Sequence, residues 1–185
     1  KATFTEAQKA ELFAQTYAVT WSSGITIENS DIQLPNGNYT WTNKNQSLDR
    51  IGENDCEATY EIANYNAVTG NFKVTVNKAE PTLTAGIPEA KKTFTYTGTA
   101  ITDFYTFLQL STTNSEYTEE AAKAAVTYNV VYTGDGTYDD TICNAGTYKI
   151  TANLPATTHY KAANMAEVTI TVKKVENKQT IPEMK

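Results

Sequence analysis

His159 is the one histidine of this 185-residue chain, and hence the one imidazole that could serve as a general base. Nucleophilic sites of the Ser-His-Asp or Cys-His kind need such a base beside the nucleophile. His159 lies in a polar turn, at the position that Asn64 occupies in a matching passage of the first half. Asparagine cannot act as a base but is a common turn residue. The sequence therefore predicts a structural role for His159 and no catalytic residue.

Carboxylates are the other candidates for chemistry. Asp135, Asp139 and Asp140 in "TGDGTYDDT" could supply oxygens to a calcium ion, although the ordered spacing of a calcium loop is missing. The Gly-Asp-Gly run also fits a hairpin turn with positive φ, which is the favoured interpretation, and a bound calcium stays open. Glu119 and Glu120 begin a predicted helix, where negative charge is stabilising. No paired acid and base for glycoside hydrolysis is predicted.

The remaining motifs exclude further kinds of site. The sequence contains no GxxxxGK[ST], no GxGxxG after a strand and no HExxH, so neither a nucleotide-binding site nor a zinc-protease site is predicted. Cys56 and Cys143 lack a CxxC or metal-ligand spacing and are predicted to be two separate buried thiols rather than a disulfide. We therefore predict no catalytic, cofactor-binding or metal-binding residue and no cofactor. A covalent bond between a lysine and an asparagine side chain, beside a buried carboxylate, stays open.

Aromatic side chains could form a platform on which a sugar ring stacks, since they are favoured at recognition surfaces. The candidates are Trp21, Tyr39, Trp41, Tyr96, Tyr105, Tyr132 and Tyr138. Trp41 alternates with Tyr39 along a predicted strand, and a sandwich core needs large side chains. Packing in a core or at a sheet edge is therefore the favoured interpretation, and no aromatic residue is predicted as a binding hot spot.

Charge and hydropathy exclude two classes of partner. The formal net charge is −6 at pH 7, and the 15 lysines and arginines are scattered, so no basic stripe can neutralise a phosphate backbone. No apolar run approaches the ~20 residues that a membrane-spanning helix needs, and the N-terminus lacks a signal-peptide core. Neither nucleic acid nor membrane insertion is predicted. We expect the chain, which begins at Lys1, to be an excised or processed fragment.

The elements that must position these residues are predicted to be strands in two similar repeats. The passages "CEATYEIANYNAVTGNFKVTVNKAE" and "GTYKITANLPATTHYKAANMAEVTITVKKVE" alternate apolar and polar residues with period two. Each runs through a strand to an Asn-Tyr or His-Tyr turn, a second strand and a closing Lys-Ala or Lys-Val. Such self-similarity is typical of an array. The stretch "VTVNKAEPTLT" is then the seam between two units, stiffened by Pro81.

These passages, together with "NYTWTN" and "KTFTYTGTAI", resemble the immunoglobulin-like repeats of bacterial surface proteins, including the mostly-bacterial Ig (MBG) type. The likeness covers most of residues 18 to 174. It implies β-sandwich modules in a stalk or adhesin, located at the bacterial cell surface or secreted. The family shares no catalytic residues, so the resemblance implies none here.

Two segments depart from the strand pattern. Residues 5–17, "TEAQKAELFAQTY", predict a short helix capped by Thr5, with one apolar face made by Ala10, Phe13, Ala14 and Tyr17. Residues 115–125, "SEYTEEAAKAA", predict a second helix capped by Ser115 or Thr118. We expect each helix to cover an end or an edge of its sandwich, where an exposed strand would invite association.

The sequence thus predicts an all-β chain of two tandem Ig-like β-sandwich domains with short helical insertions. The predicted domains are residues 1–77 and 78–174, followed by a polar tail or linker at 175–185. The predicted function is a non-enzymatic spacer or stalk segment of a bacterial cell-surface or secreted protein, present as a monomer. The alternative is an adhesin or carbohydrate-binding module that recognises a host protein or a polysaccharide through sandwich loops.

Overall fold

The computed structural model describes residues 1–100, 108–137, 142 and 144–176. The helices are α1 (Glu6–Leu12) and α2 (Glu119–Ala125). The strands are β1 (Thr16–Thr20), β2 (Tyr39–Trp41), β3 (Gly52–Tyr60), β4 (Val68–Asn77), β5 (Leu83–Gly86), β6 (Thr93–Thr95), β7 (Gln109–Thr112), β8 (Thr127–Gly134), β9 (Gly146–Leu154), β10 (Ala163–Asn164) and β11 (Val168–Lys173). The chain forms two compact units: unit 1 contains residues 1–80 and 157–161, and unit 2 contains the described residues of 81–156 and 162–185.

Unit 1 is built on a four-stranded sheet in the order β1-β4-β3-β2. β1 runs parallel to β4, and the other neighbours are antiparallel. Period-two alternation places every second side chain of β3 and β4 on one face, which is fully buried at Cys56, Ala58, Phe72 and Val74. The second layer over this face is largely irregular chain, with one isolated bridge between Thr26 and Ser47. It contributes the buried side chains of Ile25, Ile27, Ile32 and Leu48 to the same core.

Unit 2 has two sheets around one core. In the larger sheet β9 pairs with β8 on one edge and with β10 and β11 on the other, and β6 extends the sheet beyond β11. The smaller sheet is the antiparallel pair β5 and β7. Leu83 and Leu110 of the smaller sheet share a buried cluster with Tyr148 and Ile150 of β9, and α2 adds Ala122 to it. The predicted fold class, all-β with Ig-like sandwiches and short helical insertions, is confirmed.

Both units have the same strand pairing about their last strand. In each, that strand lies antiparallel to a strand that begins at a glycine, with Gly52 opposite Val76 in unit 1 and Gly146 opposite Val172 in unit 2. On its other edge the last strand lies parallel to an earlier one, β1 in unit 1 and β6 in unit 2. Positions in the two units can therefore be matched from hydrogen bonds as well as from sequence.

The extents of the units differ from those read from the sequence. The units divide after residue 80 rather than after residue 77, and residues 157–161, which the sequence places in the second repeat, lie in unit 1. Main-chain hydrogen bonds explain this assignment. The N–H of Ala79 donates to the carbonyl of His159 (2.8 Å), and the N–H of Lys161 donates to the carbonyl of Ala79 (2.9 Å).

The first helix is shorter than predicted. Thr5 is the N-cap as expected, and its hydroxyl accepts from the N–H of Gln8 (3.2 Å). The helix ends at Leu12, however, and residues 16–20 enter the sheet as β1, because valine, threonine and tyrosine there suit a strand. Of the predicted helix face, Phe13 is buried and Tyr17 half-buried, whereas Ala10 and Ala14 are exposed.

The second helix begins at the later of its two predicted caps. Its N-cap is Thr118, whose hydroxyl accepts from the N–H of Ala121 (3.2 Å). Ser115 precedes the helix in a turn, where the side-chain oxygen of buried Asn114 accepts from the N–H of Glu116 (3.0 Å). Asparagine competes for main-chain groups in this way and delays helix formation. None of the helices formed by the described residues is long and apolar enough to cross a membrane.

Candidate functional site

The residues with the most potential for chemistry meet at one end of β1 in unit 1. Trp21 directly follows β1, and its N–H donates to the carbonyl of Asn77 at the end of β4 (2.8 Å). The indole stacks on the imidazole of His159, with ring centroids 4.4 Å apart and an interplanar angle of 19°. Tyr160 meets the same indole edge-on, at 5.4 Å between centroids. Trp21, Asp49, His159 and Tyr160 are referred to below as the Trp21 cluster.

Asp49 ties the Trp21 cluster together through hydrogen bonds. The indole Nε1–H of Trp21 donates to Oδ1 of Asp49 (2.9 Å). Nε2 of His159 lies 2.9 Å from the main-chain oxygen of Asp49 and 3.5 Å from its Oδ1. A carbonyl oxygen can only accept, so Nε2 of His159 carries a proton and donates it. This hydrogen bond joins the turn that carries His159 to the loop that carries Asp49.

The position of His159 in its turn differs in conformation from that of Asn64. Asn64 has a positive φ of 69°, the left-handed conformation that asparagine tolerates, whereas His159 is not among the described residues with positive φ. The turn therefore does not select histidine for its backbone. The imidazole contributes a stacking contact that covers the ring of Trp21, and Trp21 is only 8% exposed.

A shallow, open cavity of about 650 Å³ borders the cluster. Ser47, Asp49, Arg50, Ile51, Thr158 and His159 line it. Its ionisable side chains already have partners within unit 1. The carboxylate of Asp49 accepts from Trp21, and the guanidinium of Arg50 donates to the carbonyl of Glu53. The contacts of this arrangement hold an aromatic stack in place.

Of the five aromatic candidates for sugar stacking that the structure describes, one, Tyr96, is exposed. Trp21, Tyr39 and Trp41 are at most 9% exposed in the core of unit 1. In unit 2 the hydroxyl of Tyr132 lies 2.7 Å from the carbonyl oxygen of Asp135, while Tyr96 is 40% exposed. Tyr105 and Tyr138 lie outside the described residues. Tyr96 is thus the candidate with an accessible ring among those described.

The aspartate loop of unit 2 holds an ion pair. Gly136 has a φ of 96°, which fits the predicted turn. The carboxylate of Asp135 pairs with Nζ of Lys174 (2.5 Å), and its hydrogen bond raises the pKa of that lysine. Asp139 and Asp140 lie outside the described residues. Within the part of the chain that the structure describes, no three histidine, cysteine or acidic side chains come together as a metal site.

The acidic start of α2 and the buried thiol have plain structural explanations. Glu119 pairs with Lys123 one turn later, and this hydrogen bond lowers the pKa of Glu119. Cys56 is fully buried in β3, and burial, with a smaller contribution from neighbouring Asp55, raises the pKa of its thiol to about 11. Cys143 lies outside the described residues.

Sequence reasoning did not foresee the Trp21 cluster. Its members come from the end of β1, from a loop that covers the core, and from a turn 110 residues beyond Asp49. The available signal was the alternating run "TYAVTW", which ends in a large aromatic at the same point as "TFTY" in the second repeat. That match marks equivalent positions, but it does not reveal what packs on them.

Comparisons with known proteins give distant structural similarities. No family model matches the chain, and no curated protein matches it significantly. The PKD domain of human KIAA0319 is similar over 57% of this chain and 91% of its own, with 13% identity and a TM-score of 0.36. The EC1-2 fragment of human mucin-like protocadherin is similar over 86% of this chain and 95% of its own, with 11% identity and a TM-score of 0.33.

A third similar structure is a SusE-like surface-located polysaccharide-binding protein from the heparin utilisation locus of Bacteroides thetaiotaomicron. The similarity covers 86% of this chain and 33% of that one, with 13% identity and a TM-score of 0.30. At identities and TM-scores this low, none of the three structures assigns a function to the chain.

Proposed function

We propose that this chain is a non-enzymatic spacer segment of a bacterial cell-surface or secreted protein, built from two Ig-like units of the MBG type. The observation that carries the proposal is the Trp21 cluster. The chain's one imidazole is stacked on Trp21 and donates to Asp49, so the residue best suited to catalysis serves packing.

The construction of the two units supports this role. Each unit has its own buried cluster, with Phe72 and Val74 central in unit 1 and Tyr148 and Ile150 central in unit 2. A spacer needs units that resist unfolding individually, and a separate core in each provides this. The one buried polar side chain among the described residues, Asn114, serves a turn, and the ion pairs that lysines make join exposed side chains.

The proposal is tested by a binding screen of the whole chain against arrays of glycans and extracellular-matrix proteins. A spacer shows no saturable binding to any of them. Saturable binding that an unrelated all-β protein of similar charge does not show would refute the spacer function.

The alternative function, a carbohydrate-binding module, is favoured by one observation, the 40% exposure of Tyr96. An accessible tyrosine ring can stack on a sugar face. The discriminating variants are Tyr96→Ala, which would abolish such binding, and Tyr132→Phe, which keeps its ring and serves as the matched control. Glycan binding that Tyr96→Ala removes and Tyr132→Phe retains would establish this alternative.

A further inference from the structure

Tyr96 of unit 2 occupies the position that Trp21 occupies in unit 1. Trp21 directly follows β1, and its N–H donates to the carbonyl of Asn77, the last residue of β4 (2.8 Å). Tyr96 directly follows β6, and its N–H donates to the carbonyl of Lys173, the last residue of β11 (2.9 Å). Each unit therefore ends its parallel strand pair with an aromatic residue held by the same hydrogen bond.

In unit 1 this aromatic residue is covered by the turn 157–161. His159 stacks on Trp21 and Tyr160 packs edge-on against it. Ala79, which lies just beyond β4, holds the turn by a parallel bridge to Tyr160. The pair of hydrogen bonds that forms this bridge joins Ala79 to His159 and to Lys161, and an ion pair between Lys161 and Glu80 (2.6 Å) adds to it.

The same bridge occurs a second time in unit 1. The N–H of Ala2 donates to the carbonyl of Asn64 (2.8 Å), and the N–H of Asn66 donates to the carbonyl of Ala2 (2.9 Å). Ala2 thereby makes a parallel bridge to Tyr65. In both places a Lys-Ala pair meets a turn of the form Asn-Tyr or His-Tyr, so this bridge is a recurring recognition element of the chain.

In unit 2 the corresponding residues are exposed. Val175 follows Lys174 as Ala79 follows Lys78, and its side chain is 58% exposed. Tyr96 is 40% exposed, against 8% for Trp21. Of the four large apolar side chains that are exposed among the described residues, two therefore lie at this one end of unit 2. Glu176 stands where Glu80 pairs with Lys161 in unit 1.

We propose that the end of unit 2 formed by Tyr96 and Val175 is a docking surface for an aromatic turn, of the form Asn-Tyr or His-Tyr, carried by a further unit of this fold. The incoming tyrosine bridges to Val175, and the residue before it stacks on Tyr96. A second copy of this chain is a poor occupant, because its turns at Tyr65 and Tyr160 are already bridged by its own Ala2 and Ala79. This inference rests on the proposed spacer function and names the partner of such a spacer.

The test extends the chain with a unit of known sequence. Residues 1–176 are followed by a copy of residues 81–185, so that Pro81 of the copy follows Glu176 as Pro81 follows Glu80. The copy carries Tyr96→Phe, so that nitration by tetranitromethane, read by mass spectrometry on the peptide that contains Tyr96, reports on the original Tyr96. The expected result is a nitration rate at Tyr96 about fivefold lower than in the original chain, in the ratio of the 40% and 8% exposures of Tyr96 and Trp21.

A matched variant of the copy carries Tyr160→Ala and should restore the nitration rate of the original Tyr96. A second measurement does not depend on folding of the copy. A synthetic peptide of residues 154–164, "LPATTHYKAAN", is added to the original chain, with a scrambled peptide as control. Saturable amide chemical-shift changes at Tyr96 and Val175, absent in Tyr96→Ala, support the proposal. Unchanged nitration together with a silent peptide would overturn it.

Two other results would also overturn the inference while separating it from the proposed function. Protection of Tyr96 that grows with concentration in the unextended chain would make a second copy the occupant. Protection of Tyr96 by a glycan would refute both the docking surface and the spacer function. Absence of docking without glycan binding would refute the docking surface alone and leave the spacer function standing.

Discussion

Replacing Gly70 by alanine should destabilise unit 1, against the usual effect of such a change in a strand. Gly70 lies in β4, and a methyl group there would lie 2.7 Å from Cε2 and Cγ of Phe13 and closer still to Cδ2. Carbon atoms pack best at roughly 3.5–4.0 Å, so the Phe13 ring must move by about 1 Å. Phe13 is 8% exposed and packs on Tyr39 and Phe72, with ring centroids 5.8 and 5.2 Å away, so it has little room to move.

The effect of Gly70→Ala on the free energy of unfolding is the difference between two opposing contributions. Overpacking of a core costs about 1–3 kcal/mol. The alanine also restricts the unfolded chain, which returns about 0.4–1 kcal/mol. The free energy of unfolding of unit 1 should therefore fall by ~1–2 kcal/mol. With a urea dependence of about 1 kcal/mol/M for a unit of this size, the unfolding midpoint should fall by roughly 1–2 M.

Tryptophan fluorescence during urea unfolding measures this effect in unit 1 alone, because both tryptophans of the chain, Trp21 and Trp41, lie there. Gly37→Ala is the matched control. A methyl group at Gly37 would have no atom within 4 Å, and its φ lies outside the left-handed region, so this variant should be as stable as the original chain or slightly more stable.

A double-mutant cycle tests whether the ring of Phe13 causes the loss of stability in Gly70→Ala. In the Phe13→Ala background the ring is gone, so Gly70→Ala should cost nothing further, and the two changes should be strongly non-additive. Equal stability of Gly70→Ala and the original chain, or additive costs in the cycle, would refute this account of the packing.

The remaining predictions concern both units. Asp49→Ala leaves the indole N–H of Trp21 without its acceptor and should lower the stability of unit 1 by ~1 kcal/mol in the same fluorescence assay, whereas Asp49→Asn keeps an acceptor and should cost less. In a Cys143→Ser background, Cys56 should resist Ellman's reagent at pH 8 until urea unfolds unit 1. Burial raises the pKa of the Cys56 thiol from 9.0 to about 11. The protonated thiol's contribution to the free energy of unfolding of unit 1 is therefore fully present below pH 9 and is lost as the pH rises towards 11. Asn114→Ala should lower the stability of unit 2 to heat by about 1–3 kcal/mol. The unfolding of unit 1, which tryptophan fluorescence follows, should not change. A shift in that fluorescence transition would contradict the assignment of Asn114 to unit 2. The intact mass should equal that of the sequence, since every lysine among the described residues is at least partly exposed; a loss of one ammonia would instead reveal a lysine–asparagine bond.

Period-two patterns predicted the strands because each side chain's face is decided locally. The two passages whose alternation predicted strands contain Cys56 and Ala58 of β3 and Tyr148 and Ile150 of β9, and all four side chains are buried. The helix over residues 5–17 was predicted too long, because pairing of β1 with β4 is a tertiary contact that outweighs local helix propensity. The Trp21 cluster depends on contacts between residues far apart in the chain, which no local pattern contains.

The turn residue that differs between the repeats is explained by what it touches. Asn64 adopts a left-handed φ and its carbonyl accepts from the N–H of Ala2, while Tyr65 stacks on Phe4 at 4.6 Å. The carbonyl of His159 accepts the matching hydrogen bond from Ala79, yet its ring lies on Trp21. The two turns share the main-chain hydrogen bonds to Ala2 or Ala79, but the residue before the tyrosine differs in backbone conformation and in the side chain that it presents to the neighbouring aromatic. The identity of that residue should therefore determine which aromatic surface each turn can cover, and a His159→Asn variant should retain the bridge while exposing Trp21 to acrylamide quenching. Unchanged quenching would show that Tyr160 alone shields the indole.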